Sequence, residues 1–265
     1  MQVKPKKGLG QHFLTDMNIS RKIAQQFGSH QGCKQVLEVG PGMGAMTQFL
    51  LEDDSLDVHV MEVDRESVTY LDEHFPQLQG KIIDGDFLKY DLKSIFGETP
   101  FAVVGNFPYN ISSQILFRCV EFKDQIPEIM GMFQKEVAQR IAEKEGSKVY
   151  GIISVLLQTY YNIDYCFTVD EHVFNPPPKV KSGVIRLTRN SRTELPCSEK
   201  LYIRVVKGCF SQRRKMIRNT IKLLIGKQPF ESEYLTKRPE QLSVEDFIKL
   251  TQQVEIALSQ SSKAD

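Results

Sequence analysis

The sequence is short of several features that would narrow its role at once. Its five cysteines, Cys33, Cys119, Cys166, Cys197 and Cys209, are scattered and form no C-x-x-C pair. That excludes the common zinc and dithiol motifs, and the odd total argues against a disulfide framework. No metal site is expected, and a reducing cytoplasmic setting is. No stretch of about 18 or more apolar residues occurs, so no membrane span is expected. The basic start at Lys4, Lys6 and Lys7 has no apolar segment behind it of the kind that marks an export signal. Internal repeats and low-complexity tracts are absent as well, so the chain reads as globular, with disorder expected only at its ends.

What is present suits a soluble enzyme-sized fold. With 265 residues, 41% hydrophobic and 25% charged, the composition is that of an ordinary globular protein able to bury a core. One medium domain with a small appendage is the natural expectation. The boundaries are placed at residues 1–190 and 199–258, with the polar stretch from Arg189 to Ser198 as the linker. The net charge of +1 hides a segregation: residues 1–22 carry +4, residues 23–178 carry −12, and residues 179–265 carry +9. An acidic body with two basic ends favours a polyanionic partner, although a solvated charged face has the same signature.

Between residues 35 and 135 short apolar runs alternate with amphipathic ones, which predicts βαβ units and a mostly parallel sheet, an α/β class of Rossmann type. Strands are expected at Gln35 to Val39, Asp57 to Met61, Lys81 to Ile83, Phe101 to Gly105 and Glu128 to Phe133. Helices are expected just after Gly44, from Arg65 to Phe75, from Ser112 to Phe122 with Ser112 as N-cap, and from Tyr150 to Asn162. Two further strands are read at Asp164 to Val169 and Val184 to Thr188. The run Asn175-Pro176-Pro177-Pro178-Lys179 must be a rigid loop, because three prolines remove three donors. Beyond it the period is helical, with Leu201, Val205, Cys209, Met216, Ile217, Ile221 and Leu224 able to share one side. Ser243 and Asp246 announce a last helix in the spacing of a capping box.

The first chemical signal is Leu37-Glu38-Val39-Gly40-Pro41-Gly42-Met43-Gly44-Ala45, a glycine-rich turn between strand and helix. Gly40 and Gly42 let the backbone reach positive φ and let a nucleoside cofactor approach without meeting a Cβ. The loop also satisfies G-x-G-x-x-A, so by itself it does not separate NAD from S-adenosylmethionine. Glu62, about 20 residues on, ends the second strand, where an acid can accept hydrogen bonds from both ribose hydroxyls. Asp86 follows the third, where a carboxylate can accept from the exocyclic amine of a cofactor adenine.

The second signal is Asn106-Phe107-Pro108-Tyr109 at the end of the fourth strand. An adenine N6 amine is a poor nucleophile because its lone pair is delocalised into the ring. An asparagine carbonyl and a backbone carbonyl beside proline can both accept from that NH₂ and favour a more pyramidal nitrogen. Tyr109 would stack on the base. An isolated Asn-x-Pro match would read only as a turn closing a strand. Its place one strand past the cofactor acids makes it a reaction motif.

With these residues in place the chain resembles the ribosomal RNA adenine dimethyltransferase family, whose bacterial members dimethylate two adjacent adenosines near the 3′ end of small-subunit RNA. The match runs from about Lys7 to Leu250 and includes Gly10-Gln11-His12-Phe13-Leu14, the glycine loop, Asn106 to Asn110, Gln134-Lys135-Glu136-Val137-Ala138, Phe174 to Val180, Phe210 to Lys215, and Arg238-Pro239-Glu240. The resemblance implies that His12, Leu14, Gly40, Glu62, Asp86 and Asn106 contact S-adenosyl-L-methionine, which leaves as S-adenosyl-L-homocysteine. It further implies that Asn106, Pro108 and Tyr109 hold the target base, with Phe174 as a second aromatic. His12 and Phe107 depart from the common pattern, which has asparagine and leucine there.

The implied partner is small-subunit RNA in an assembling 30S particle, and a monomer is the default expectation. Residues 179–227 hold 14 basic residues against Glu194 and Glu199. Lys179, Lys207, Arg213, Arg214, Arg218 and Lys222 are the expected RNA-backbone contacts, four of them at helical spacing on one face. Long basic stems covering a small helical core are the plainer reading. Three alternatives stay open: a resistance methylase of large-subunit RNA, a ribosome-assembly factor whose catalysis is secondary, and a nicotinamide-dependent oxidoreductase. The last would leave the Asn-x-Pro-Tyr motif and the basic appendage without a purpose.

Overall fold

The computed structural model describes residues 3–226 and 229–261. The strands are β1 (Phe13–Leu14), β2 (Gln35–Val39), β3 (Asp57–Glu62), β4 (Ile82–Asp84), β5 (Phe101–Asn106), β6 (Glu128–Gln134), β7 (Tyr161–Val169), β8 (Phe174–Asn175) and β9 (Ser182–Arg189). The α-helices are α1 (Met17–Gln26), α2 (Thr47–Leu50), α3 (Arg65–His74), α4 (Lys93–Phe96), α5 (Ser112–Glu121), α6 (Lys135–Ala142), α7 (Ile152–Gln158), α8 (Glu199–Ser211), α9 (Ile217–Ile225) and α10 (Val244–Ser261). They fall into two compact units. The first runs up to Gln139 and resumes over Tyr161–Asn190, and the second takes Arg140–Tyr160 and the described residues from Ser191 on.

The first unit is built on a seven-stranded sheet in the order β4-β3-β2-β5-β6-β9-β7. The strands from β4 to β6 pair in parallel, and β9 lies antiparallel between β6 and β7. Val103 and Val104 of β5 and Ile129, Met130 and Met132 of β6 are wholly buried, as a parallel sheet covered on both faces requires. Strand order reverses at β2 and β5, which opens a crevice at their carboxyl ends. One core cluster joins Val36, Val60, Val104, Met132 and Val184 to Ile23 of α1. Asp16 caps α1 by accepting from the Asn18 and Ile19 amides at 2.9 and 3.3 Å. Glu128, fully buried, accepts from the amides of Gly28 and His30 at 2.9 and 2.7 Å and from Arg186 Nε at 2.7 Å. That carboxylate keeps its charge compensated on every side.

In the second unit α7 packs on α8 and α10. The Thr159 hydroxyl meets the Tyr202 hydroxyl at 2.8 Å, and the Tyr160 hydroxyl donates to Glu199 at 2.8 Å. Ser243 and Asp246 form the expected reciprocal cap of α10, both bonds at 3.1 Å.

The structure departs from the sequence reading at several places. The stretch Tyr150 to Asn162 is not one helix: α7 stops at Gln158, and from Tyr161 the chain pairs with β9 as an edge strand. Residues 140–160, expected inside the 1–190 domain, group instead with the second unit, because α7 buries Ile153, Val155 and Leu157. The N-cap of α5 is Ile111, and Ser112 is its first residue, donating to the Tyr109 carbonyl at 3.2 Å. The strands of the parallel core fall within a residue or so of their expected bounds.

Candidate active site

The carboxyl ends of β2, β3 and β5 and the turn after β4 surround a cavity of about 350 Å³, within the ~300–1,000 Å³ usual for small-molecule sites. Gly40, Gly42, Glu62, Asp86, His12, Asn106, Pro108 and Tyr109 all line it. Residues expected at the site from positions 12 to 109, Leu14 apart, therefore converge on one space.

The glycine turn takes the shape its residues permit. Gly40 and Gly42 have φ of +70° and +55°, the left-handed region where a side chain is costly. The Gly42 amide donates to Glu62 Oε2 at 3.1 Å, while Glu62 Oε1 accepts from the Val63 and Asp64 amides at 2.8 and 2.9 Å. Glu62 is 4% exposed. Burial raises its pKa, and the three amides work against that rise. Oε1 has both lone pairs engaged by amides, and Oε2 keeps a second one with which to accept a hydroxyl. Asp86 is more open: Oδ1 accepts from the Leu88 amide at 3.0 Å and Oδ2 pairs with Lys89 at 3.4 Å.

Glu38 was not foreseen as part of this machinery. It is 2% exposed on β2, and the Thr47 hydroxyl of α2 donates to its Oε2 at 2.6 Å. The bond spans the glycine turn and ties the strand before it to the helix after it. Burial pushes the Glu38 pKa up to about 7. A lone acid inside the apolar run Val36-Leu37-Glu38-Val39 was the available signal.

The reaction motif sits on the opposite side. The Asn106 amide nitrogen donates to the His12 carbonyl at 2.9 Å, which fixes the side chain with its Oδ1 as the remaining acceptor. The Pro108 carbonyl is engaged by the Ile111 amide at 3.1 Å, so the proline-adjacent carbonyl that the turn can offer is that of Phe107. Tyr109 is anchored through its hydroxyl to Ser182 Oγ at 2.6 Å, and the His12 ring stacks on it at 5.6 Å and 25°. Phe107 is 1% exposed and meets Phe133 edge-on at 5.2 Å. Its ring occupies the space above Gly105 and Gly131, paired neighbours on β5 and β6, where any added Cβ would collide with it.

The segment before β1 also forms part of the wall, which sequence reasoning anticipated only at His12. Residues from Gly8 to Phe13 line the cavity. Lys6 Nζ and Gln11 Nε2 both donate to Asp64, at 2.5 and 3.2 Å, and hold this segment down. His12 Nδ1 lies 2.7 Å from the Pro176 carbonyl.

Two expected residues stand apart. Leu14 and Phe174 do not line the cavity. They pair across β1 and β8, and their side chains, 6% and 4% exposed, belong to the hydrophobic core beside Ile23 and Val36. The basic residues are also redistributed. Lys179 is exposed in the first unit, whereas the rest lie in the second. Lys207 is on α8 and Arg218 and Lys222 are on α9, but Arg214 falls in the turn between them, so no single helical face carries all four. Arg213 is partly buried and donates to the Ser147 carbonyl at 3.4 Å. Met216, expected in the apolar stripe, is 37% exposed. Among the described residues no cluster of three or more His, Cys, Asp or Glu is disposed to hold a metal, and no helix is long and apolar enough to cross a membrane.

The chain as a whole is similar to known proteins. The family model for ribosomal RNA adenine dimethylase matches residues 2–258. The ribosomal RNA small subunit methyltransferase A of Bacteroides thetaiotaomicron is 58% identical over 258 residues, covering 97% of this chain and 96% of that one. Its counterpart in Flavobacterium johnsoniae is 56% identical over 255 residues, covering 96% and 97%. Among solved structures, a dimethyladenosine transferase of Plasmodium falciparum shares the fold with a TM-score of 0.72 at 23% identity, covering 90% of this chain and 96% of that one. The 23S rRNA methyltransferase ErmE superposes with a TM-score of 0.63 at 25% identity, covering 92% and 99%. The fold is thus that of an α/β methyltransferase, and with its whole length matched the chain belongs to the ribosomal RNA adenine dimethylase family.

Proposed function

We propose that this chain dimethylates the N6 amines of two adjacent adenosines near the 3′ end of small-subunit ribosomal RNA, within an assembling 30S particle, using S-adenosylmethionine. The reading takes it to act as a monomer in the cytoplasm. The observation that carries it is the orientation of Asn106: its nitrogen is tied to the His12 carbonyl, and its oxygen is left for a donor beside the cavity that Glu62 and the glycine turn line.

The residues present fit that cofactor. The free acceptor site on Glu62 Oε2 suits a ribose hydroxyl, Asp86 an adenine amine, and at Gly40 the open space where a Cβ would stand suits close approach of a nucleoside. Bound there, S-adenosylmethionine supplies a methyl group activated by a sulfonium. The chain's part is alignment. Asn106 Oδ1 and the Phe107 carbonyl accept the two N–H bonds of the target amine, holding its lone pair out of ring conjugation. The Tyr109 ring supports the base by stacking, with the base extruded from its strand to reach it. No strong base is needed before attack, because the proton leaves from the cationic product, and orientation supplies much of the rate.

Labelled cofactor, incubated with immature small subunits, large subunits or naked RNA, should label two neighbouring adenosines of the small subunit. Label confined to the large subunit would sink the assignment. The first unit is read as catalytic and the second as RNA-binding, with Lys179, Lys207, Arg213, Arg214, Arg218 and Lys222 facing phosphates. Replacing Arg214 and Arg218 with alanine should flatten the logarithmic salt slope of RNA binding by about 2. An unchanged slope would make those arginines ordinary surface residues.

A further inference from the structure

Ser182 lies outside every motif that the function uses, yet it touches the reaction corner. It is the first residue of β9 and is wholly buried. Strand pairing holds its backbone on both sides, opposite Gln134 of β6 and Val169 of β7. Its hydroxyl therefore has a fixed origin. That hydroxyl lies 2.6 Å from the Tyr109 hydroxyl. The two residues are 73 positions apart, and the bond joins the loop after β5 to the far side of the sheet.

Tyr109 is restrained a second way. The His12 imidazole covers one face of its ring, at 5.6 Å and 25°, and His12 is itself held by the Pro176 carbonyl at 2.7 Å. A phenol pinned at its tip and covered on one face cannot swing about its Cα–Cβ bond, and it offers its other face to a planar partner. A stacked base would inherit the orientation of that ring. In a transfer that depends on aligning a lone pair with a methyl group, such a restraint acts on the rate of the step and not on the strength of RNA binding.

We propose that Ser182 is a positioning residue for methyl transfer, locking the plane of the Tyr109 ring through the hydroxyl–hydroxyl bond. The inference rests on the reading of Asn106 to Tyr109 as the target-base corner. A double-mutant cycle tests it. Ser182→Ala and Tyr109→Phe each remove the same bond from one end. Each should lower kcat about tenfold, with KM for the small subunit and Kd for S-adenosylmethionine within about twofold of the parent. Combined, they should again give about tenfold, since the bond is already lost.

A product near a hundredfold would mean that Ser182 matters for its own packing, and would overturn the proposal. So would a Ser182→Ala enzyme with unchanged kcat. If Ser182→Ala does not fold, Tyr109→Phe alone decides: a reduced kcat supports the bond's role and a parental kcat refutes it. Tyr109→Ala separates the two levels of the argument. Unchanged transfer with Tyr109→Ala would remove Tyr109 from the base corner itself, whereas collapsed transfer beside a parental Ser182→Ala would remove only the role given to Ser182.

Discussion

Asn106→Ala is expected to lower methyl transfer by about 10³-fold, or about 4 kcal/mol of activation free energy, while S-adenosylmethionine binding stays within about tenfold of the parent. The asymmetry follows from where the two halves of the site draw their contacts. Under the proposed reading, cofactor recognition is spread over the glycine turn, Glu62 and Asp86, with Asn106 one residue among several that line the cavity. In the proposed arrangement the target amine meets Asn106 Oδ1 and a single main-chain carbonyl, so deleting one removes half of what orients the nitrogen. A second loss follows, because the His12 carbonyl that holds the Asn106 amide at 2.9 Å forfeits its donor, and the segment before β1 loses an attachment. Single-turnover transfer set beside equilibrium titration of the cofactor checks this. Turnover at the parental rate would remove Asn106 from the chemistry.

The second large effect is on stability. The Glu38 pKa stands at about 7 in the folded chain against an ordinary value of 4.5. Between those values the folded chain holds a proton that the unfolded chain has released. Stability from this group is therefore greatest in acid and falls as pH rises through that window, by about 3 kcal/mol in all. Burial is the main cause, the Thr47 hydroxyl opposes it, and the nearby Glu62 charge adds to it. Glu38→Gln stays neutral throughout and keeps a carbonyl oxygen for Thr47. The stability difference between parent and variant should thus move by about 2.5 kcal/mol between pH 5 and pH 8, in favour of the variant at the higher pH. Urea denaturation at the two pH values measures it. Parallel pH profiles for the two proteins would show that Glu38 titrates normally.

How legible the molecule was depended on how locally each feature is encoded. Parallel strands such as Phe101–Asn106 and Glu128–Gln134 announced themselves as short apolar runs because burial on both faces demands it. The Ser243 and Asp246 cap lies within a single helical turn. Glycine turn, Glu62, Asp86 and the Asn106 corner were readable for a related reason: each closes a strand, and strand order brings those ends together. Tertiary facts were not readable in the same way. Nothing near Tyr150–Asn162 says that the helix ends at Gln158, since only pairing with β9 decides it. The break between α8 and α9 likewise overrides a period that continues through it. Phe174 looks like a pocket aromatic in sequence, yet pairing with β1 places it in the core.

The ring of Phe107, a residue just past β5, is seated over Gly105 and Gly131 and competes with anything added at either of them. A methyl added at Gly131 meets side chains alone, this ring and that of Phe133, and a smaller side chain at 107 relieves the tighter of the two contacts; at Gly105 it also meets the Val39 carbonyl oxygen at 2.6 Å, which no change at 107 removes. Substitutions tried one at a time at 107 and 131 will read as strict intolerance, although what is restricted there is their combined volume. A paired exchange, a smaller residue at 107 with alanine at 131, is the route by which this corner of the sheet can drift without moving Asn106.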